Sequence, residues 1–562
     1  MELHKTYTML FDGITTEKDL EKLKCAVMRD KELRARILAI RDACAGRHGP
    51  DMHCRGSSTD ENRMPSNPEM LQLYRDLVER GEQTPSKETE QTLRKIKVRS
   101  NSGVAVVSLL TKPYQCPGRC IYCPFEKEMP KSYLSKEPAA ARALANNFDP
   151  YTQVQNRMKA LVANGHPIDK LEVIVIGGTW SYYEENYQTE FISEIFRAAN
   201  DFTKPESERS ASEKKPLEEL QKENETASAR IIGLSIETRP DYINEKELNR
   251  LRWLGVTKIE IGVQHLSDEV LEFNKRDMTT EQVATATELM RNAGFKVVYH
   301  MMPNLPKSTP EMDIEMFGEL FTGTDYHPDM LKMYPCVVLK NSPLYSLWER
   351  GEYRPYTKDE LMHVLREAKK QVPKYVRIIR VIRDIPAEYI IAGSKVSNLR
   401  QNIEQDQKEH NWHCVCIRCR EIRNQKITLD DYVLERTEYE TRTGRELFLS
   451  FEHKNENKCA AFCRLRLPNA DATDTFTGNL AVLKGASQIR ELHTYGQLEQ
   501  IKEKGKQSQH RGLGMRLMHE AEHIARKAGY TKMAVISGVG VREYYKNKLG
   551  YSLDSTYMVK EL

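Results

Sequence analysis

The chain has 562 residues, with 85 Lys+Arg against 81 Asp+Glu, a formal net charge of +4, and 39% hydrophobic residues. That length predicts several domains, and the near balance of charge excludes a chain-wide basic field, so any nucleic-acid face must be local. No apolar run approaches the roughly 18 residues of a membrane span, and the start MELHKTYTML has no basic flank followed by an apolar stretch, so no membrane association or export is expected.

Residues 1–95 read as a helical, basic-edged N-terminal region. EKDLEKLKCAVMRDKELRARILAI puts Leu20, Leu23, Ala26 and Val27 at helical spacing, whereas 50–68 is turn-rich and reads as a loop. LRKIKVRS then packs Arg94, Lys95, Lys97 and Arg99 together, either as a solvated face or as a phosphate-contacting patch. Over 96–400 short apolar runs alternate with amphipathic segments. GVAVVSLL, LEVIVIGG (171–178), IIGLSIE (231–237), VTKIEIGV (256–263), FKVVYHMM (295–302) and YVRIIRVI (375–382) read as strands, and EQVATATELMRNAG (281–294) as a helix. Repeated strand–helix units predict a parallel sheet, open or curled into a partial barrel, with chemistry at the C-terminal ends of its strands. Residues 203–228 have Leu217 and Leu220 as their only large apolar side chains and read as a solvated insert, partly helical near its end, that carries no catalysis. Residues 401–428 form a cysteine-rich linker, and 429–562 a separate α/β unit: RELFLSFE, CAAFCRLRL, SQIRELHTYG, a glycine loop, a helix, TKMAVIS and YYKNKLGY.

Six of the twelve cysteines sit in two tight clusters, which reads as metal ligation in a reducing, cytoplasmic compartment. Cys116-Pro-Gly-Arg-Cys120-Ile-Tyr-Cys123 follows a strand. Three thiolates from one loop, with no fourth ligand close behind, suit an iron–sulfur cluster with one open iron better than zinc. The C-x3-C-x2-C spacing at the head of a β/α run resembles radical S-adenosylmethionine (SAM) enzymes. In that resemblance Gly177-Gly178-Thr179, after the next strand, binds the methionine part of SAM.

Gln509-His510-Arg511-Gly512-Leu513-Gly514 follows a strand and opens a helix, where backbone N–H groups and the helix dipole favour an anion. Q-x-x-G-x-G with this order of elements resembles the pyrophosphate loop of GNAT acetyltransferases, which cradles acetyl-CoA. Tyr544 and Tyr545 are the candidates for the tyrosine near the thioester, with core packing as the other reading of each. Cys414-Val-Cys416-Ile-Arg-Cys419 reads either as a structural zinc site at the junction or as unligated buried thiols. His413, Cys459, Cys463 and His493 are candidates for a fourth ligand.

The two units together resemble the catalytic subunit of Elongator in its bacterial or archaeal form, a radical SAM partial (β/α) barrel followed by a GNAT α/β domain. The matching segments include TKPYQCPGRCIYCP, PKSYLSKEPAAARALANNFDPYTQV, GLSIETRPDYI, KIEIGVQHLSDEV, RIIRVIRDIPAEYI, RELHTYG and QHRGLG. The resemblance implies an enzyme acting on the wobble uridine of a tRNA anticodon stem-loop. A [4Fe-4S] cluster would cleave SAM to a radical that activates the acetyl group of acetyl-CoA for addition to carbon 5, giving a carboxymethyl-type product. It places Cys116, Cys120 and Cys123 on the cluster, and Glu237, Arg239, Gln264 and His300 around the barrel mouth. Lys112 would help bind SAM or RNA, and the Arg94–Arg99 patch would meet the anticodon arm. The chain would work alone, as a homodimer or with Elongator-like subunits. The rival reading is a protein lysine acetyltransferase whose iron–sulfur domain is structural.

Overall fold

The computed structural model describes residues 10–14, 16–45, 63–94, 103–209, 215–396, 398–422, 431–495 and 512–562. Lys95, Lys97, Arg99, Gln509, His510 and Arg511 lie outside them. No helix among the described residues is long and apolar enough to cross a membrane.

The N-terminal helices Glu17–Arg29, Lys31–Ala45, Asn67–Glu79 and Lys87–Leu93 share a small core of their own, built on Phe11, Leu20, Val27, Ile37 and Tyr74. The first pair is split at Asp30. Its N–H still donates to Ala26, while its carboxylate accepts from the N–H groups of Glu32 and Leu33 at 3.0 Å, ending one helix and starting the next.

The central sheet consists of β1 (Ala105–Leu110), β2 (Lys170–Ile176), β3 (Arg230–Thr238), β4 (Lys258–Gln264), β5 (Lys296–Met301), β6 (Met330–Met333) and, after the two-residue β7 (Val338–Leu339), β8 (Arg377–Arg380). Its order is β1-β2-β3-β4-β5-β6-β8, all parallel, and it curls into a half-barrel. In β2, Leu171, Val173 and Val175 pack outward against helices, whereas Glu172, Ile174 and Ile176 face the interior. The four-residue β6 (MLKM) gives too short a run to read as a strand. β9 (Ile390–Ala392) pairs antiparallel with β7.

The insert over 203–228 is helical near its end, as its sequence suggests, but that helix is docked rather than solvated. Helix Leu217–Asn224 buries Leu217, Leu220 and Asn224, and the Asn224 amide accepts from the Ile231 N–H at the start of β3. Glu225 forms a buried ion pair with Arg542 of the C-terminal unit at 3.1 Å. Two leucines spaced i, i+3 suffice to dock a short helix, and the charge of its neighbours hides this in the sequence.

The second sheet has β10 (Tyr432–Thr441), β11 (Gly444–His453), β12 (Cys459–Pro468), β13 (Ser487–Thr494), β14 (Lys532–Val535), β15 (Ser552–Asp554) and β16 (Tyr557–Glu561). The order is β10-β11-β12-β13-β14-β16-β15, antiparallel except for the β13–β14 pair. Pairing of β13 with β14 ends at Ile489↔Val535, and β13 continues to Thr494 paired with β12 alone. The two strands therefore splay into a wedge.

This sheet abuts the lower, N-terminal end of the half-barrel. Asp329, just before β6, accepts from Arg490 of β13 at 2.6 and 2.8 Å, and Glu446 accepts from Arg490 and Arg466 at 3.1 Å. All four are at most 1% exposed. The 537–541 turn presses against β3: a Cβ at Gly538 would lie 2.1 Å from the Ile232 carbonyl oxygen, so only glycine fits. Asp329→Asn removes one of the two carboxylates that pair with the buried Arg490, leaving only Glu446, and is expected to cost about 3 kcal/mol. A urea unfolding midpoint equal to that of the parent would contradict this role.

Candidate active site

The loop after β1 carries Cys116, Cys120 and Cys123 at the upper end of the half-barrel, lining one cavity of about 1970 Å³. The Ile121 N–H donates to Asn274, and Lys131 donates to the Gly118 carbonyl at 2.8 Å, fixing the loop's shape. Burial pushes the Cys123 thiol up to about 12. Cys120 is pushed up by burial too, but the Arg276 guanidinium, 3.7 Å from its sulfur, together with Tyr122 and Arg239, holds it below the ordinary thiol value.

Gly177 (φ 139°) and Gly178 (φ 101°) follow β2 in conformations that side chains resist, and a Cβ at Gly177 would lie 1.9 Å from Thr111 Oγ1. The buried Thr179 Oγ1 lies 3.8 Å from Cys116 Sγ. Gln264, ending β4, has φ 74° and a buried Oε1 with no partner among the described residues, so its amide is held strained in the cavity wall. Arg239 braces the loop from below: it donates to Asp241 and to the carbonyls of Arg276 and Asp277, and its Nη1 lies 2.8 Å from where a Cβ on Gly118 would sit.

Beneath the mouth runs a row of charges that the sequence reading only half identified. Glu237 (β3) accepts from Tyr133 at 2.6 Å and from Lys332 (β6) at 3.3 Å. Glu260 (β4) pairs with Lys332 and accepts from His300 (β5) at 2.9 Å. Glu237, Glu260 and His300 are close enough together to hold a cation, but the Lys332 ammonium already bonds both carboxylates. One layer down, Lys258 pairs with Glu172 at 2.5 Å, which holds that carboxyl down at about 2. Glu260 and Lys332 were missed. The available signal was charge at alternate positions in otherwise apolar strands: Lys258, Glu260 in KIEIGVQ and Lys332 in MLKM.

Lys112, exposed just after β1, lies 4.3 Å over the Tyr187 ring, beside the stacked rings of Tyr114, Tyr183 and Tyr187. Arg94 is half-buried, its Nε donating to the Gly165 carbonyl at 2.8 Å, and so ties the N-terminal helices to the barrel.

At the lower end, Gly512 (φ 109°), Leu513 and Gly514 open helix Leu513–Lys527 beside the β13–β14 wedge. A Cβ on Gly514 would lie 3.2 Å from the Tyr544 hydroxyl. Tyr544 is 38% exposed, whereas Tyr545 is buried against Tyr551, and both line the cavity. His493 stacks on Phe462 and lies 4.5 Å from the Tyr495 ring, with Nε2 buried and without a partner among the described residues.

The Cys414, Cys416 and Cys419 sulfurs lie within 4.8 Å of one another, a spacing that suits ligands of a single ion. Cys116, Cys120 and Cys123 do not form such a tight group, as expected of thiolates on separate corners of a cluster. No fourth ligand joins the linker trio among the described residues. His413 is exposed, the Cys459 thiol donates to Ala461, Cys463 is in the core, and His493 lines the cavity. Lys369 Nζ lies 3.9 Å from Cys419 Sγ.

Residues 111–320 match the radical SAM superfamily and 328–409 the radical SAM C-terminal domain. A "tRNA uridine(34) acetyltransferase" of Methanocaldococcus jannaschii is 42% identical over 89% of this chain and 90% of its own length. The human "Elongator complex protein 3" is 37% identical over 83% and 85%. The chain belongs to the Elongator complex protein 3 family. An N-terminally truncated archaeal Elp3 of Methanocaldococcus infernus superposes with TM-score 0.69 at 39% identity, covering 82% of this chain and 99% of that one. As a radical SAM protein, this member of the family implies a [4Fe-4S] cluster and SAM. The loop of three thiols beside the Gly177–Gly178 cradle fits both.

Burial, joined by the nearby Arg377 and Lys296 charges and only partly opposed by Glu491, holds the His493 imidazole down at about 4. The unfolded chain therefore takes up a proton near pH 6.5 that the folded chain refuses until about pH 4. This group's contribution is complete above pH 6.5 and is lost as pH falls through that window, by on the order of 3 kcal/mol. His493→Gln is expected to flatten that part of the stability–pH curve, and an unchanged curve would refute the assignment.

Proposed function

We propose that the chain modifies the wobble uridine of tRNA, using SAM-derived radical chemistry and acetyl-CoA to place a carboxymethyl-type group on carbon 5. The observation that carries this reading is one cavity bounded at the top by the cysteine loop and at the bottom by the β13–β14 wedge. When bound, the cluster and SAM supply a radical, and acetyl-CoA supplies the two-carbon unit.

The protein's own share is holding and orienting. Cys116, Cys120 and Cys123 hold the cluster, Gly178 and Thr179 line the cavity and let SAM approach the backbone, and Gly177, packed on Thr111, sets the turn that presents them. The Gln264 amide, with its unpartnered oxygen, and the Glu237–Lys332 pair orient polar groups at the mouth. His300 is fixed on Glu260 and keeps its ring against Tyr334. Gly512–Gly514 and the dipole of the following helix seat the diphosphate, with Gln509, His510 and Arg511 completing the loop. Tyr544 faces the acyl end. Lys112, the adjacent tyrosines and the 94–99 basic segment meet the anticodon arm. Cys414, Cys416 and Cys419 hold a structural zinc between a radical SAM domain over 96–400 and a GNAT domain over 429–562. The reaction is cytoplasmic, where thiolates stay reduced.

The test is mass spectrometry of nucleosides from tRNA incubated anaerobically with reconstituted protein, reductant, SAM and acetyl-CoA, omitting each in turn. Product should require all of them and vanish in Cys120→Ala. Product that persists without SAM overturns the reading. Acetyl transfer to lysine peptides by Cys120→Ala, with no uridine product from the parent, would favour a protein acetyltransferase.

A further inference from the structure

Resting on that reading, a question of reach follows from where the two ends of the cavity lie. The cysteine loop is at the C-terminal end of the half-barrel strands and the acyl wedge at their N-terminal end, so the length of the barrel wall separates them. For the seven residues of β4 that is about 20 Å at ~3.3 Å per residue.

The interior wall between the two ends is lined at alternate positions, with Glu172 and Ile174 on β2, Lys258 and Glu260 on β4 and Lys332 on β6. Four of its charges are matched in place, Glu172 with Lys258 and Glu260 with Lys332, while Lys170 of β2 and Lys296 of β5 also line it. A neutral chain with amide groups could lie along the paired stretch without stranding a charge.

One wall position lacks a side chain. Gly233 of β3 stands in register with Glu172 and lines the cavity beside the point where the 537–541 turn meets β3. The β2–β3 register shifts here, from Leu171↔Ile231 to Glu172↔Gly233, and the 537–541 turn packs close to the Gly233 N, yet no clash excludes a side chain. The φ of Gly233 is outside the left-handed region, and an added Cβ would meet only Glu172 Cγ at 3.7 Å and Thr257 Oγ1 at 3.8 Å, ordinary contact distances. Glycine inside a strand costs stability, about 0.5–1 kcal/mol against alanine, and marks places where another chain or ligand comes close.

We propose that the interior face of the half-barrel is the track along which a slender acyl-thioester arm of the pantetheine class extends from the wedge to the cysteine loop, entering over Gly233. The arm's acyl end travels while its diphosphate stays seated, and no bond is made or broken in the passage.

The test compares Gly233→Ala, Gly233→Phe and Ile174→Trp, the last one rung nearer the cluster, as reconstituted holoenzymes. Three quantities are read: acetyl-CoA retention by equilibrium dialysis, 5′-deoxyadenosine formed from SAM and reductant alone, and modified uridine in tRNA. Product formation by the parent comes first and tests the function itself. Gly233→Ala should match the parent. The two bulky variants should keep the first two quantities within about twofold while the third falls about a hundredfold, the scale of a misplaced reacting group. Parent-like uridine modification in both bulky variants would overturn the track. So would loss of acetyl-CoA retention or of deoxyadenosine formation in step with product, because the residues would then belong to a binding seat or to the cluster site.

Discussion

The molecule depends on a set of buried guanidinium groups at the seam between its two sheets. Arg464, Arg466 and Arg490 come from the second sheet, Arg291 from the barrel, and they converge on Asp329 and Glu446 with almost no solvent access. Charges in such a place are strongly unfavourable unless paired, so the contact tolerates one geometry and penalises any sliding. Burial with too few carboxylates nearby even holds the Arg466 guanidinium down at about 10. The close approach of Gly538 to β3 adds a steric lock beside the electrostatic one. A hydrophobic seam of equal area would bind as well without fixing the register, and two half-sites facing each other require a fixed register.

Much of the barrel was legible because its strands are buried on both faces and read as apolar runs ended by turn residues. The segments around β1 to β5 and β8 fall within a few residues of their expected places. β6 escaped because a strand of four residues with a lysine at its centre has no periodicity to detect. β10 and β15 escaped for a related reason: they are the sheet's edge strands, and their polar, exposed residues resemble loops, while β16 has only three apolar residues in a row.

The site was legible where chemistry requires a fixed spacing along the chain, as with the three cysteines, the Gly177–Gly178 pair and the Gly512–Gly514 segment. It was illegible where the partners come from different strands. Glu237, Glu260, His300 and Lys332 lie on four successive strands and become neighbours only through the parallel register. The same holds for His493, which as a residue of the second sheet read as a possible metal ligand and is instead packed on Phe462.

The Lys332 ammonium among Glu237 and Glu260 has a wider consequence. Where many enzymes neutralise clustered carboxylates with a diffusible ion, here the counterion is part of the polypeptide. A chelator cannot strip it, and a competing divalent ion in the medium finds its place taken. The radical chamber thus keeps a constant electrostatic floor whatever the ionic composition around it, leaving the thiol loop as the part of the chamber that must be loaded from outside.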